Sequence, residues 1–473
     1  EYGGNPQMRN GYIVSQTICH NLPNEGSYKL YYGENTPFTK RELDQSFGAD
    51  PLSSIGNSKI LVVPVNIKNG SRTWDQKTLD KINKAFFGKA EETSWQSVSS
   101  FYETASYGKL KIKGEVAPVF NSNISISYLI SYVENSEKRP DLPIVKEWLN
   151  DPTYYELRRQ YDVDENNAVD ALAFIYNVPV NSDNGFWAWS TWENIYAAAA
   201  PTVKNYLWAS ADFMDDNTNA NYGKNGIDSH VYIHEVGHLL GLDDYYPYDK
   251  GILDVSGSLE MHSANIGDEN IYSKYLMGWA DPYFVKTSSQ VTLNLRSSAL
   301  YGDAIIINDS WNGTPFDEYI IVEFYTPQLN NYLDSVQTYK NGYKMYTQPG
   351  VRIYHIDSRT IKSNGVGYSF SMPTKDQLQY GEFAIGPSNT PSSAYLDKDL
   401  AAKYRLLHLI DGDGRQYYNG GNGVNKIYGV ADNNSLFKSG DIFNASSTFF
   451  VNNTKFNAGN EVGYSLRINS KMK

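Results

Sequence analysis

Apolar and polar positions along the 473-residue chain change rhythm twice. Residues 1–55 show little periodicity and are cut by Gly-Gly, Asn-Pro, Leu-Pro and Thr-Pro turns, so they read as an N-terminal arm or the remnant of a pro-segment. Residues 59–67 (KILVVPVNI) then form an apolar run with the length and β-branched content of a buried strand. Helical spacing follows at 74–87, with Leu79, Ile82 and Phe86 on one side, and again at 94–107, where Gly108 supplies the stop. Residues 109–120 alternate as a strand, 169–176 read as another buried strand, and 228–240 as a helix with Asp228 or Ser229 at its start. Residues 56–285 therefore predict one domain of mixed helices and strands. After Asp281-Pro282 the runs shorten. Stretches at 291–295, 304–307, 319–325, 351–356, 405–410 and 463–468 have strand length and are separated by Gly, Asn and Ser turns. Residues 286–473 thus read as an all-β, sandwich-like domain, and the whole chain as α+β.

Composition narrows the function classes. A hydrophobic content of 41%, with 14% aromatic, is ample for packed cores and excludes wholesale disorder. A net charge of −12 argues against a nucleic-acid partner, which calls for a basic face. No apolar run is long enough to span a membrane. The single cysteine, Cys19, can form neither an internal disulfide nor a multi-thiolate metal site. The first residue is Glu1 rather than a start methionine, which fits removal of a leader. The 39 tyrosines are the outlying feature of the composition.

Chemistry concentrates in residues 234–244 (HEVGHLLGLDD). Histidines at i and i+4, His234 and His238, project from one helical face, so both imidazoles can reach one ion. Glu235 lies beside them, where its carboxylate can act on a water at the metal. Gly241 allows a sharp turn that brings a later residue back toward the two histidines. An ordinary exposed helix with a Glu-His pair is the bland alternative.

This string resembles the metzincin motif HExxHxxGxx(H/D), in the Asp-ending form of the immune-inhibitor-A-like peptidases. Residues 98–114 (VSSFYETASYGKLKIKG) and 260–279 (EMHSANIGDENIYSKYLMGW) are similar to further segments of that family, as are shorter pieces at 318–323, 350–357 and 432–443. The resemblance covers roughly residues 56–470. It implies a metzincin-like catalytic domain, with a twisted sheet and a zinc-motif helix. It implies zinc held by His234, His238 and Asp244, Glu235 as general base, and Met261 as the methionine of the turn beneath the metal. Asp243 falls one residue short of the ligand position. Some metzincins carry Tyr two residues after that Met, where this chain has Ser263, and many family members have His at Glu269. No carbonyl-polarising side chain is therefore assigned, and His262 and Tyr272 are the two candidates.

A second constellation occupies residues 161–170 (YDVDENNAVD). Oxygen-bearing residues at Asp162, Asp164 and Asn166, a main-chain carbonyl at Ala168, and Asp170 can wrap a hard cation such as Ca²⁺. The pattern is similar to a D-x-D-x-D-G-x-x-D loop of the same family. Asn167 takes the Gly position, and Asn tolerates the left-handed conformation that the bend needs. A solvated acidic turn is the competing reading, and residues 411–414 (DGDG) read as a turn only. Cys19 raises a thiolate switch on the metal, although its surroundings match no such motif and a small buried hydrophobe is the simpler role. His20, His230, His355 and His408 read as structural. Phe186, Trp187, Trp189 and Trp192 read as core packing, with a wall of a substrate cleft as the functional alternative.

Taken together, the expectation is a secreted or cell-surface bacterial zinc metalloendopeptidase, monomeric, that hydrolyses proteins or peptides and carries Zn²⁺ and Ca²⁺. The rival class is an extracellular ligand-binding protein on a metzincin-like scaffold, with little or narrow hydrolysis of glyco- or cell-wall peptides.

Overall fold

The computed structural model describes residues 40–46, 49–93, 95–135, 139–196, 199–215, 226–246, 256–285, 290–311, 313–340, 342–358, 405–414, 430–444, 446–447 and 455–469, and the strand backbone of Gln7–Arg9, Tyr12–Val14 and Tyr28–Leu30. Cys19 and His20 lie outside these residues. The chain forms two compact units, residues 40–243 and residues 244–473 with 1–39. At the change of rhythm, Asp281–Val285 is itself a strand that pairs with a later one.

In unit 40–243 the strands are β1 (Gly56–Lys68), β2 (Leu110–Val116), β3 (Phe120–Ser125), β4 (Ala168–Val169), β5 (Leu172–Tyr176), β6 (Ala188–Ile195) and β7 (Thr202–Ser210). Strands β2 and β3 pair with β1, β1 with β5, and β4 and β5 with β7, all in parallel. Strand β6 closes the remaining side of β7 and runs antiparallel to it. The helices are α1 (Lys40–Ser46), α2 (Gln76–Phe87), α3 (Val98–Ala105), α4 (Ile126–Asn135), α5 (Asp141–Leu149), α6 (Tyr155–Gln160) and α7 (His230–Leu240). Side chains fix their starts: Asp75 accepts from the Thr78 amide ahead of α2, and Ser97 and Ser100 cap each other's amides at α3.

One face of the sheet carries Leu61, Val63, Phe174 and Trp208, packed against Leu129 of α4 and Ile144 and Trp148 of α5. The alternate residues Ile60, Val62, Ile175 and Leu207 are equally buried on the opposite face, where α7 packs against β6 and β7. Residues 40–55, read from sequence as part of a loose arm, contain α1 and the buried Leu52, whose amide donates to the Leu239 carbonyl at 2.7 Å. Helix α5 was not legible because Pro143 sits inside it. That residue occupies the first turn, where no intrahelical acceptor awaits its missing N–H, so the helix tolerates it.

Within residues 244–473 the helices are α8 (Met261–Ala264), α9 (Ile271–Leu276) and α10 (Tyr332–Val336). A six-stranded mixed sheet has the order β12 (Leu407–Ile410), β11 (Gly350–Asp357), β10 (Glu318–Tyr325), β9 (Asp303–Ile307), β8 (Asp281–Val285) and Tyr28–Leu30. Among the described residues, β8 and β9 are the one parallel pair of its strands. A two-stranded ribbon, β13 (Ile442–Phe443) with β14 (Leu466–Arg467), contributes Phe443 to a core shared with Ile305, Ile320, Val322 and Ile353 of the sheet. The sequence suggested a sandwich; the described strands instead make one large sheet covered by a small ribbon and loops. Residues 291–295 form no ladder, although Leu293 and Leu295 still pack on this core. Alternation therefore reported burial correctly there and pairing wrongly.

Many of the tyrosines turn inward. The phenols of Tyr102, Tyr176, Tyr232 and Tyr325 donate to the main-chain carbonyls of Ile233, Trp187, Ser210 and Tyr346 at 2.6–2.9 Å. A buried ring thereby adds apolar area and ties down a carbonyl. No helix among the described residues is long and apolar enough to cross a membrane.

Candidate metal centre

Helix α7 is enclosed almost entirely, with His234, Glu235 and every apolar side chain buried. The amide of Leu242 donates to the Gly237 carbonyl and that of Gly241 to His238, a Schellman-type ending. Gly241 has φ +102°, and a Cβ built there would lie 2.5 Å from Asp44 Oδ2. The turn thus requires Gly both for its conformation and for the close approach of α1. Asp44 is enclosed and ion-paired with Lys40, and burial lifts its carboxyl to about 6, with the negative charge of Asp243 adding to the rise.

The imidazole rings of His234 and His238 stand at 90° with their Nε2 atoms 3.1 Å apart. Two nitrogens bound to one tetrahedral ion at about 2.0–2.1 Å stand about 3.3 Å apart, so this spacing suits a shared metal. His238 Nδ1 lies 2.7 Å from the Leu242 carbonyl, which can only accept. Nδ1 therefore carries the proton, and Nε2 bears the lone pair that metal coordination requires. The ligand atoms of His234, His238, Asp244 and His262 all lie within 4.8 Å of one another, so this His/Asp cluster can hold a metal ion. Asp243 is not part of it.

His262 was a candidate only for polarising a carbonyl, yet it joins the ligand group. Its Nε2 is 3.2 Å from Glu269 Oε1, both side chains being fully enclosed, and its carbonyl accepts from the Tyr245 amide at 2.9 Å. Glu269 thus stands against an imidazole in an enclosed setting. The neighbouring loop is fixed by buried polar contacts: Lys274 Nζ to Asp268 at 2.6 Å, and the Gly267 and Asp268 amides to Asp334 and Asn331 at 2.7 and 2.9 Å. Met261 is fully buried. Tyr272 is buried with its ring 6.4 Å from that of Tyr245.

Glu235 has a partner that the sequence reading missed. Ser190 Oγ lies 3.0 Å from Glu235 Oε2 and 2.8 Å from its main-chain carbonyl. Trp189, one residue earlier, packs on the core beside Trp208. The parity of β6 therefore turns Ser190 to the opposite face. The aromatic cluster divides accordingly: Phe186 is enclosed against Tyr176, whereas Trp187 is 46% exposed with its ring against Phe213.

Asp162, Asp164 and Asp170 form the second group of ligand-type side chains whose oxygens lie within 4.8 Å of one another. Burial raises the Asp162 carboxyl and lifts that of Asp170 to about 6, and the mutual repulsion of the acids adds to both. Asp162 Oδ1 is buried and has no hydrogen-bond partner among the described residues. Asn166 uses Oδ1 to accept the Ala168 amide at 2.9 Å and its amide group to reach Asp50 and Asp164 at 2.7 and 3.0 Å. Asn167 adopts φ +66° and Glu165 φ +58°, so the loop bends through left-handed residues. The remaining histidines have structural surroundings. His230 stacks on Trp95 at 4.1 Å and meets Asp228, while His355 contacts Glu318 at 2.8 Å and pairs across β11 and β12 with His408. At residues 411–414 the Asp413 amide donates to Asp411 Oδ1 at 2.7 Å, closing a turn.

No family model matches this chain, and no curated protein matches it.

Proposed function

We propose that the protein is a zinc-dependent metalloendopeptidase of metzincin type, acting on proteins or peptides outside the bacterial cell. The observation that carries this reading is the cluster itself: two convergent imidazoles one helical turn apart, a carboxylate just past the glycine turn, and Glu235 between the two histidines in sequence. Imidazole nitrogens and a carboxylate oxygen make a donor set that suits Zn²⁺. His234, His238 and Asp244 would hold the ion. When bound, zinc supplies Lewis acidity toward a water and a peptide carbonyl. Glu235 takes a proton from the attacking water on a carboxylate oxygen and returns it to the leaving amine. The Leu242 carbonyl keeps His238 in the tautomer that presents Nε2. In the second cluster, the hard oxygen donors of Asp162, Asp164 and Asp170 fit Ca²⁺, and the buried Asp162 Oδ1 is an acceptor such an ion would satisfy.

The place of His262 within the cluster favours a second reading, a metal-binding protein without hydrolysis. Were His262 to serve as a fourth protein ligand, it would take the position that a catalytic site keeps open. Metal analysis with casein cleavage separates the two. Wild type is expected to hold one zinc at this cluster and to lose cleavage to phenanthroline. Glu235→Gln is expected to keep the zinc and lose turnover. Cleavage retained by Glu235→Gln overturns the peptidase mechanism; zinc bound without cleavage in wild type supports the second reading.

A further inference from the structure

We infer that Ser190 is a positioning residue for Glu235, an inference that rests on Glu235 being the general base. Ser190 belongs to strand β6, opposite Leu207 of β7, and strand alternation directs its side chain away from the Trp189–Trp208 core. Its hydroxyl meets two oxygens of one residue, Glu235 Oε2 at 3.0 Å and the Glu235 carbonyl at 2.8 Å. One hydroxyl oxygen thus ties the side chain to its own main chain and restricts the torsions between them. A serine hydroxyl has a single proton to donate, and a carboxylate is the stronger of the two acceptors. Donation to Oε2 holds the carboxylate in one orientation beside the helix.

The geometry of the partners makes this a working contact rather than a packing accident. Ser190 is held by the ladder to β7 on one side, and Glu235 by a helix whose Ile233 carbonyl is fixed by Tyr102. Neither backbone is free to drift, so the carboxylate has a defined orientation before substrate arrives. General-base catalysis depends on such orientation, and displacement by about 1 Å can cost on the order of 100-fold in rate.

The test uses full-length, zinc-loaded protein with Ser190→Ala, Ser190→Thr, Ser190→Cys and Glu235→Gln. For Ser190→Ala, kcat is expected to fall about 10- to 100-fold with KM within about twofold of wild type. Zinc content and the rate of zinc release to a chelator should stay at wild-type values. A crystal structure of this variant should show the Glu235 carboxylate turned or in two positions. Ser190→Thr keeps a hydroxyl and should restore most of kcat. Ser190→Cys, similar in size with a weak S–H donor, should lose kcat as the alanine variant does and carries the test if that variant fails to fold. Wild-type kcat in the Ala or Cys variant, alongside an inactive Glu235→Gln, refutes the positioning role and leaves the general base intact. Equal loss in Ala and Thr variants, together with weakened zinc binding, also refutes it, as a merely structural role. An active Glu235→Gln defeats the base assignment on which the inference rests.

Discussion

Replacing Gly241 by Ala perturbs the turn that ends α7, and its cost can be worked from two separate contributions. An L-residue held in the left-handed region costs about 1–2 kcal/mol, and φ +102° is no easier than the usual αL value. The new Cβ would also stand 2.5 Å from Asp44 Oδ2, well inside contact distance. Asp44 is fully enclosed and paired with Lys40, so it cannot step aside without disturbing that pair. Breaking a buried ion pair outright costs about 3–5 kcal/mol, and a partial displacement should cost about 2 kcal/mol. Gly241→Ala is therefore expected to destabilise unit 40–243 by about 3–4 kcal/mol. The same substitution in an Asp44→Ala background, where the space is open, should cost only the backbone share of about 1–2 kcal/mol. Urea unfolding followed by tryptophan fluorescence, run on all four members of the cycle, gives both numbers. Equal penalties in the two backgrounds, or a cost below about 1 kcal/mol in the wild type, would refute the close approach of α1 to the turn.

Two further outcomes follow from other parts of the molecule. Ca²⁺ at about 100 times its dissociation constant should stabilise unit 40–243 by about 2.7 kcal/mol, seen as a rise in Tm, and Asp170→Asn should abolish that rise; an undiminished shift in the variant would place the ion elsewhere. His408 is held neutral by burial, with His355 and Arg405 adding to the effect, so that its pKa falls to about 3. The unfolded chain takes up this proton below about pH 6.5, where the folded protein does not, so stability should fall as pH drops from about 6.5 toward 3 by up to about 1.4 kcal/mol per pH unit. His408→Gln should remove one proton from that slope in urea titrations, and an unchanged slope would assign the proton uptake to another group.

Much of the fold was legible where one physical signal dominates. Residues 59–67 are apolar because β1 is buried on both faces, and the strand extends only slightly past them, to Gly56–Lys68. Helix α2 was readable from its apolar side and from Asp75 ahead of it. Helix α5 was not, since Pro143 looks like a break unless its place in the first turn is known. The strand pattern at 291–295 misled because burial on the core and pairing in a ladder impose similar apolar spacing.

For the candidate site the division is sharper. The sequence alone determined that His234 and His238 share a helical face, that Glu235 lies between them in the chain, and that Gly241 ends the helix, because all of these follow from local geometry over a few residues. Tertiary structure decided that Ser190 reaches Glu235, that Asp44 leaves no room for a side chain at Gly241, and that His262 joins the ligand group with Glu269 against it. Those contacts join residues far apart in the chain, and no residue along the way records the distance between them. Local spacing sets the direction of a side chain; only the packing of sheet, helix and turn decides what it meets.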